Sequence, residues 1–132
     1  MNWRLWSYTK LQSVMTSLEH SPASVFAGGA LSVPPDEHPF MIYRVQGSVP
    51  RIKDGFDTLR EASTLEVWIY DRPGSYDRID LIAGTCKIML PGPVTEEGGL
   101  ACEWLGSGGE LADDELKSIL KVSSFNLIGA PS

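Results

Sequence analysis

Long hydrophobic runs are missing from this chain: no uninterrupted apolar stretch in its 132 residues approaches the length of a membrane span, so a membrane partner is not expected. Cysteine is scarce. Cys86 and Cys102 are too few for a disulfide framework, and neither has cysteine or histidine neighbours at zinc-ligand spacing. They read as small apolar residues, buried and kept reduced. The two histidines, His20 and His38, are far apart and have no ligand-type residues at metal spacing. Both read as structural, His20 after a helix and His38 before a proline. No Gly-x-Ser-x-Gly elbow marks a nucleophile among the serines. Gly106-Ser107-Gly108-Gly109 lacks the Lys-Ser/Thr that completes a phosphate cradle and is followed by acidic residues, so it reads as a surface loop. Met1-Asn2-Trp3-Arg4-Leu5-Trp6 lacks a signal peptide's apolar segment, and export is not expected.

Basic residues are also absent from one stretch. Between Glu96 and Glu115 lie Glu97, Glu103, Glu110, Asp113 and Asp114 with no lysine or arginine, and this stretch accounts for the net charge of −6. A nucleic-acid reader shows the opposite pattern, a clustered basic face, so sequence-specific DNA or RNA binding is disfavoured. Apolar content of 42% and charged content of 21% are those of an ordinary globular protein, and the length suits one domain, residues 1–132, with its own core.

The most informative segment runs from Thr64 to Leu90. Leu65, Val67 and Ile69 share one strand face; Thr64, Glu66, Trp68 and Tyr70 share the other. Asp71-Arg72-Pro73-Gly74 breaks the strand. A helix from Ser75 to Leu90 follows, with Ser75 placed to cap it and Asp77 in its first turn. Ile79, Ile82, Cys86 and Met89 form its apolar stripe, widened by Ala83 and Leu90, and Pro91-Gly92-Pro93 stops it. An earlier amphipathic helix spans roughly Leu5 to Leu18, ended by His20-Ser21-Pro22. Further strands are expected at Phe40 to Gln46, with apolar residues on both faces, at Leu100 to Leu105, and at Ile119 to Ile128. Two readings stay open elsewhere. Gly47 to Ser63 is either a long charged loop or a hairpin extension with its tip near Asp54-Gly55. Residues 111–118 suit either a short helix or a strand.

Two of these elements carry chemistry worth weighing. Trp68 lies on the strand face away from the helices, where it needs a cover: a loop of its own chain or a neighbouring subunit. Asp113-Asp114-Glu115 has oxygen ligands for a hard cation but lacks the alternation and glycine of a calcium loop.

Taken together, Val25-Phe26-Ala27-Gly28-Gly29-Ala30, Pro39-Phe40-Met41-Ile42-Tyr43-Arg44, the segment Glu66 to Asp80, and Glu110-Leu111-Ala112-Asp113-Asp114 resemble the tail terminator (tail completion) proteins of long-tailed bacteriophages. The resemblance spans most of the chain but rests on structural motifs. It implies an α+β fold, an antiparallel sheet of about four strands with two helices packed on one face. It also implies a homo-hexameric ring in the virion, assembled in the host cytoplasm, that caps the tail tube and ends its polymerisation. Its partners would be other copies of itself, the tail tube protein and the head–tail connector, with DNA passing and no sequence-specific contact. No catalytic residue, metal or cofactor carries over.

A ring needs one patch to meet a different patch on the next copy. The expected interface residues are Arg51, Lys53, Asp54, Asp57 and Arg60 in the charged connection, Trp68 and Tyr70 on the strand, and Glu110, Asp113, Asp114 and Glu115 in the acidic stretch. The basic members of the first group are complementary to the acidic stretch. The alternatives are another neck component, such as a head-closure or stopper protein, and a small metal-dependent enzyme using the Glu110–Glu115 carboxylates.

Overall fold

The first helix, α1 (Trp3–Ser17), begins at Asn2, whose side-chain oxygen accepts a hydrogen bond from the Leu5 N–H at 3.1 Å. It buries Trp6, Leu11, Val14 and Met15 along one stripe. A 3₁₀ turn at Pro22–Ser24 leads to β1 (Val25–Ala27), followed by β2 (Phe40–Arg51), β3 (Arg60–Asp71), α2 (Asp77–Met89), β4 (Gly92–Pro93), β5 (Gly99–Ser107), β6 (Leu111–Asp113) and β7 (Ser118–Gly129). The computed structural model describes residues 2–28, 37–51, 60–96 and 98–129, the side chains of 48–51, 60 and 61 apart.

Among the described residues the strands form one seven-stranded sheet in the order β1-β2-β3-β7-β5-β4, with β6 also on β7. β1 runs parallel to β2 and the other pairings are antiparallel. The expected antiparallel sheet of about four strands is therefore corrected to a mixed sheet of seven, within a fold that is still broadly α+β. β4 and β6 join antiparallel, but each is too short to display a period-2 pattern. The length of chain between β1 and β2, about a dozen residues, is what a parallel neighbour needs.

Strand β3 alternates as expected. Leu65, Val67 and Ile69 pair across to Val45, Tyr43 and Met41 on β2, and Leu65 pairs on its other side with Phe125 of β7. These residues, with Leu127 and Cys102, meet Trp6, Leu11, Val14 and Met15 of α1 and Ile79, Ile82 and Cys86 of α2 in the main core. Each such side chain contributes about 1.5–3 kcal/mol by leaving water. Both helices thus pack on one sheet face. Burial pushes the Cys86 and Cys102 thiols up to about 12.

The corner after β3 has the expected punctuation. Gly74 sits at φ +140°, a backbone region that a side chain disfavours. Tyr76, not Ser75, occupies the N-cap of α2; the Ser75 hydroxyl instead accepts from the Asp77 N–H at 3.1 Å, one residue before a cap would act. Met89 is exposed and Leu90 buried in its place, so the stripe leans one residue beyond the expected line.

Candidate assembly surfaces

The helix-free face of the sheet carries a second, smaller core. Phe40 and Tyr70 are cross-strand partners whose rings stack at 4.7 Å and 5°. Phe26 of β1 meets Phe40 edge-on at 6.3 Å, and the His38 ring lies 5.3 Å from it. Leu120 is buried beside them, and Ile42, Leu116, Trp68 and Val122 pack around the margin. Tyr70 is 1% exposed, and burial pushes its phenol up to about 12. Within one chain it is already covered by Phe40, which the sequence pattern alone did not pair with it.

Trp68 does lie on this face, half-buried. Its indole N–H points to a Glu66 carboxylate oxygen at 3.4 Å, and the Arg44 guanidinium lies 5.5 Å from its ring centre. Arg44, Glu66 and Trp68 form a polar and aromatic strip beside the aromatic pile. Arg44 was not singled out from sequence; the signal that finds it is its register opposite Glu66 on the Trp68 face.

The expected charged residues fall at two ends of the sheet. Arg51 and Arg60 are register partners at the end of the β2–β3 hairpin, so the hairpin reading of that connection holds as far as those residues. Lys53, Asp54 and Asp57 lie outside the described residues. At the other end, β6 and β7 make a hairpin whose turn holds Asp114 and Glu115, both exposed, with Glu110 exposed just before β6. Residues 111–118 are therefore strand and turn, not helix. Asp113 closes the turn, its Oδ1 accepting from the Leu116 N–H at 3.0 Å. Among the described residues no three His, Cys, Asp or Glu side chains converge as a metal site would need. Glu61 pairs with Gly129 at one end of β3 and Asp71 with Ile119 at the other, which places the arginine end and the acidic turn roughly 30 Å apart. Two copies in the same orientation would have to be offset by about that distance to bring these charges together.

The Asp71 carboxylate, 7% exposed, takes a fork from Arg78 in the first turn of α2, Nε to Oδ2 at 2.8 Å and Nη2 to Oδ1 at 2.5 Å. It also accepts from the Arg72 N–H at 2.7 Å. Burial pushes this carboxyl up, but those hydrogen bonds and the neighbouring positive charge outweigh it, holding it below 3.8. Lys121 of β7 reaches Asp80 of α2 at 2.6 Å, and the Tyr76 hydroxyl donates to the Leu111 carbonyl at 2.9 Å. These groups tie the corner, the helix and the β6–β7 hairpin together. Nothing in them is arranged as nucleophile and base.

At the outer strands the surface changes character. Leu105 is 56% and Trp104 38% exposed on β5, and Ile88 is 82% exposed on α2. Lys87 covers one face of the Trp104 ring at 4.1 Å. Beside β1, a groove of about 310 Å³ is lined by Arg4, Ala27, Gly28, Tyr43, Arg44 and Val45. No helix among the described residues is long and apolar enough to cross a membrane.

No family model matches this chain, and no curated protein matches it. Solved structures do. A chain in the virion of a native gene transfer agent particle superposes with a TM-score of 0.66 at 11% identity, over 94% of this chain and 91% of that one. A second solved chain gives a TM-score of 0.50 at 14% identity, over 94% and 98%. At these identities the likeness is one of fold.

Proposed function

We propose that this chain is a structural protein of a virion that acts by assembly, without chemistry of its own. The observation that carries the reading is the near full-length likeness of its fold to a chain of a native gene transfer agent virion. The tail-terminator motifs of the sequence point the same way. On this reading, copies close into a hexameric ring on the last layer of the tail tube, stop its growth and present a surface to the head connector. DNA passes through, and the chain's net charge of −6 disfavours lasting contact with it. Trp68 and the strip around it are proposed to meet a protein neighbour.

A test is to make particles without the protein. Tails of unregulated length that fail to join heads are expected, and addition of the purified chain should restore joining. Tails of normal length that simply leak DNA at the head would instead assign the chain to a head-closure or stopper role. That second reading is kept because the similar chain is identified only as part of a virion. Fully infectious, normally built particles would remove both.

A further inference from the structure

We propose that the two outer edges of the sheet, β5 and β1, are complementary halves of one interface, so that β5 of one copy docks against β1 of the next copy of the same chain. The inference deepens the ring reading above and rests on it.

Beyond Cys102, the outer side of β5 has no strand partner among the described residues, because β4 reaches only Ala101 and Cys102. That unpartnered stretch, Glu103 to Ser107, carries the exposed Trp104 and Leu105. An edge of this kind is a template for another strand. At the other end of the sheet, β1 pairs only with β2 among the described residues. β5 runs opposite to β1 within the sheet. Two copies in the same orientation, set side by side, therefore bring these edges together antiparallel, the more stable ladder.

Charge and shape agree with that pairing. The groove at β1 has two guanidinium groups, Arg4 and Arg44, and no carboxylate in its described lining. Arg44 stands on the helix-free face, and its Nε lies 3.2 Å from where a Cβ on Gly28 would sit. A glycine there leaves the guanidinium room above the outermost strand. On β5 the matching group is Glu103, exposed and on the same helix-free face, since its partner Asn126 follows Phe125, which points to the helices. The Glu103 carboxylate is held towards Asn126 Nδ2 at 3.4 Å. A continued sheet keeps Glu103 and Arg44 on one face, within reach of a long side chain. The groove has ample room for an aliphatic side chain, and Leu105 is the exposed one on the unpartnered stretch of the facing edge. Lys87, which lies on the helix side of β5 over Trp104, would face Arg4; favourable charge pairing is thus confined to the helix-free side.

Such a contact is heterologous, which gives it a distinctive test. The full chain carrying Leu105→Lys has a damaged β5 edge and an intact groove; Arg44→Glu has the reverse. Both sites are exposed, so Leu105→Lys should melt close to the unaltered protein, and Arg44→Glu, which loses the Trp68 contact and faces Glu66, modestly below it. In sedimentation velocity and native mass spectrometry the unaltered chain should give a closed oligomer. Each variant should lose it, with association at least about tenfold weaker. Mixed together, the two should regain association that neither shows alone, through the one intact edge and the one intact groove that remain. Glu103→Arg combined with Arg44→Glu should restore the closed form. Variants that close like the unaltered chain would overturn the edge pairing and leave the ring reading intact. An unaltered chain that stays monomeric, both alone and in assembled particles, would remove the ring reading and the pairing with it.

Discussion

Arg78→Met should weaken the fold by an amount that depends on acidity. The substitution keeps an unbranched stem on α2 and removes the fork that holds Asp71 at the end of β3. Breaking a fully desolvated pair costs about 3–5 kcal/mol. Here the Arg78 side chain is 42% exposed against 7% for Asp71. Solvent screening lowers the figure to about 2–3 kcal/mol near neutral pH. Its pH dependence follows from the depressed Asp71 carboxyl. A carboxyl whose folded pKa lies below its unfolded value stabilises the fold above the unfolded value, and that contribution disappears as pH falls through the folded value. In Arg78→Met, burial opposes ionisation with less compensation, and Asp71 titrates higher. The difference between the two proteins should therefore be full near pH 7 and shrink as pH approaches and passes below 3.8. Urea denaturation across this range reads it directly. A loss under about 0.5 kcal/mol, or one that stays constant from pH 7 down to the acid end, would refute the argument.

His38 titrates below 6.5 because it is partly buried and faces the charges of Arg72 and Arg78, with Asp71 opposing them. The unfolded chain therefore takes the proton first, and stability should fall as pH drops through 6.5, levelling below the folded value; His38→Gln should flatten that step in thermal melts. Gly129→Ala places a Cβ 2.7 Å from the Gly98 carbonyl oxygen and 3.3 Å from the Trp3 ring, so a loss of about 1–3 kcal/mol is expected by chemical denaturation, and an unchanged midpoint would count against this packing. Cys86 and Cys102 should be silent to a thiol reagent until the chain unfolds, since both are buried with thiols near 12; rapid labelling of the native protein would contradict the core described above.

How much of this was legible in the sequence depended on length and on neighbours. β2, β3, β5 and β7 each span many residues, and each showed itself through alternation or β-branched and aromatic content. Both helices did so through their stripes. β1, β4 and β6 hold two or three residues each, too few for a period to register, and they exist because longer strands offer them an edge. The face assignment of Trp68 came from period 2 alone and stands. Tyr70, on the same face, is closed off by Phe40, a register partner thirty positions away in the chain, and no local pattern encodes that meeting. The acidic stretch was visible as charge, but the distance between it and Arg51 or Arg60 required the sheet. Arg44 was read only as part of its strand and Glu103 only as part of the acidic stretch, for a related reason: each becomes a rim residue only when its strand is placed near an edge.

The position of β7 has a consequence for synthesis. It lies between β3 on one side and β5 and β6 on the other, yet it follows all of them in the chain. As the chain leaves a ribosome, the β2–β3 hairpin and β5 are made while the strand that unites them is still inside. Neither part can seat Leu65 against Phe125 or Cys102 against Leu127 before then. Because so many native pairings wait for distant residues, folding is expected to be slow. Both outer edges would come into register only when β7 does, so nascent chains would have no finished surface with which to associate early.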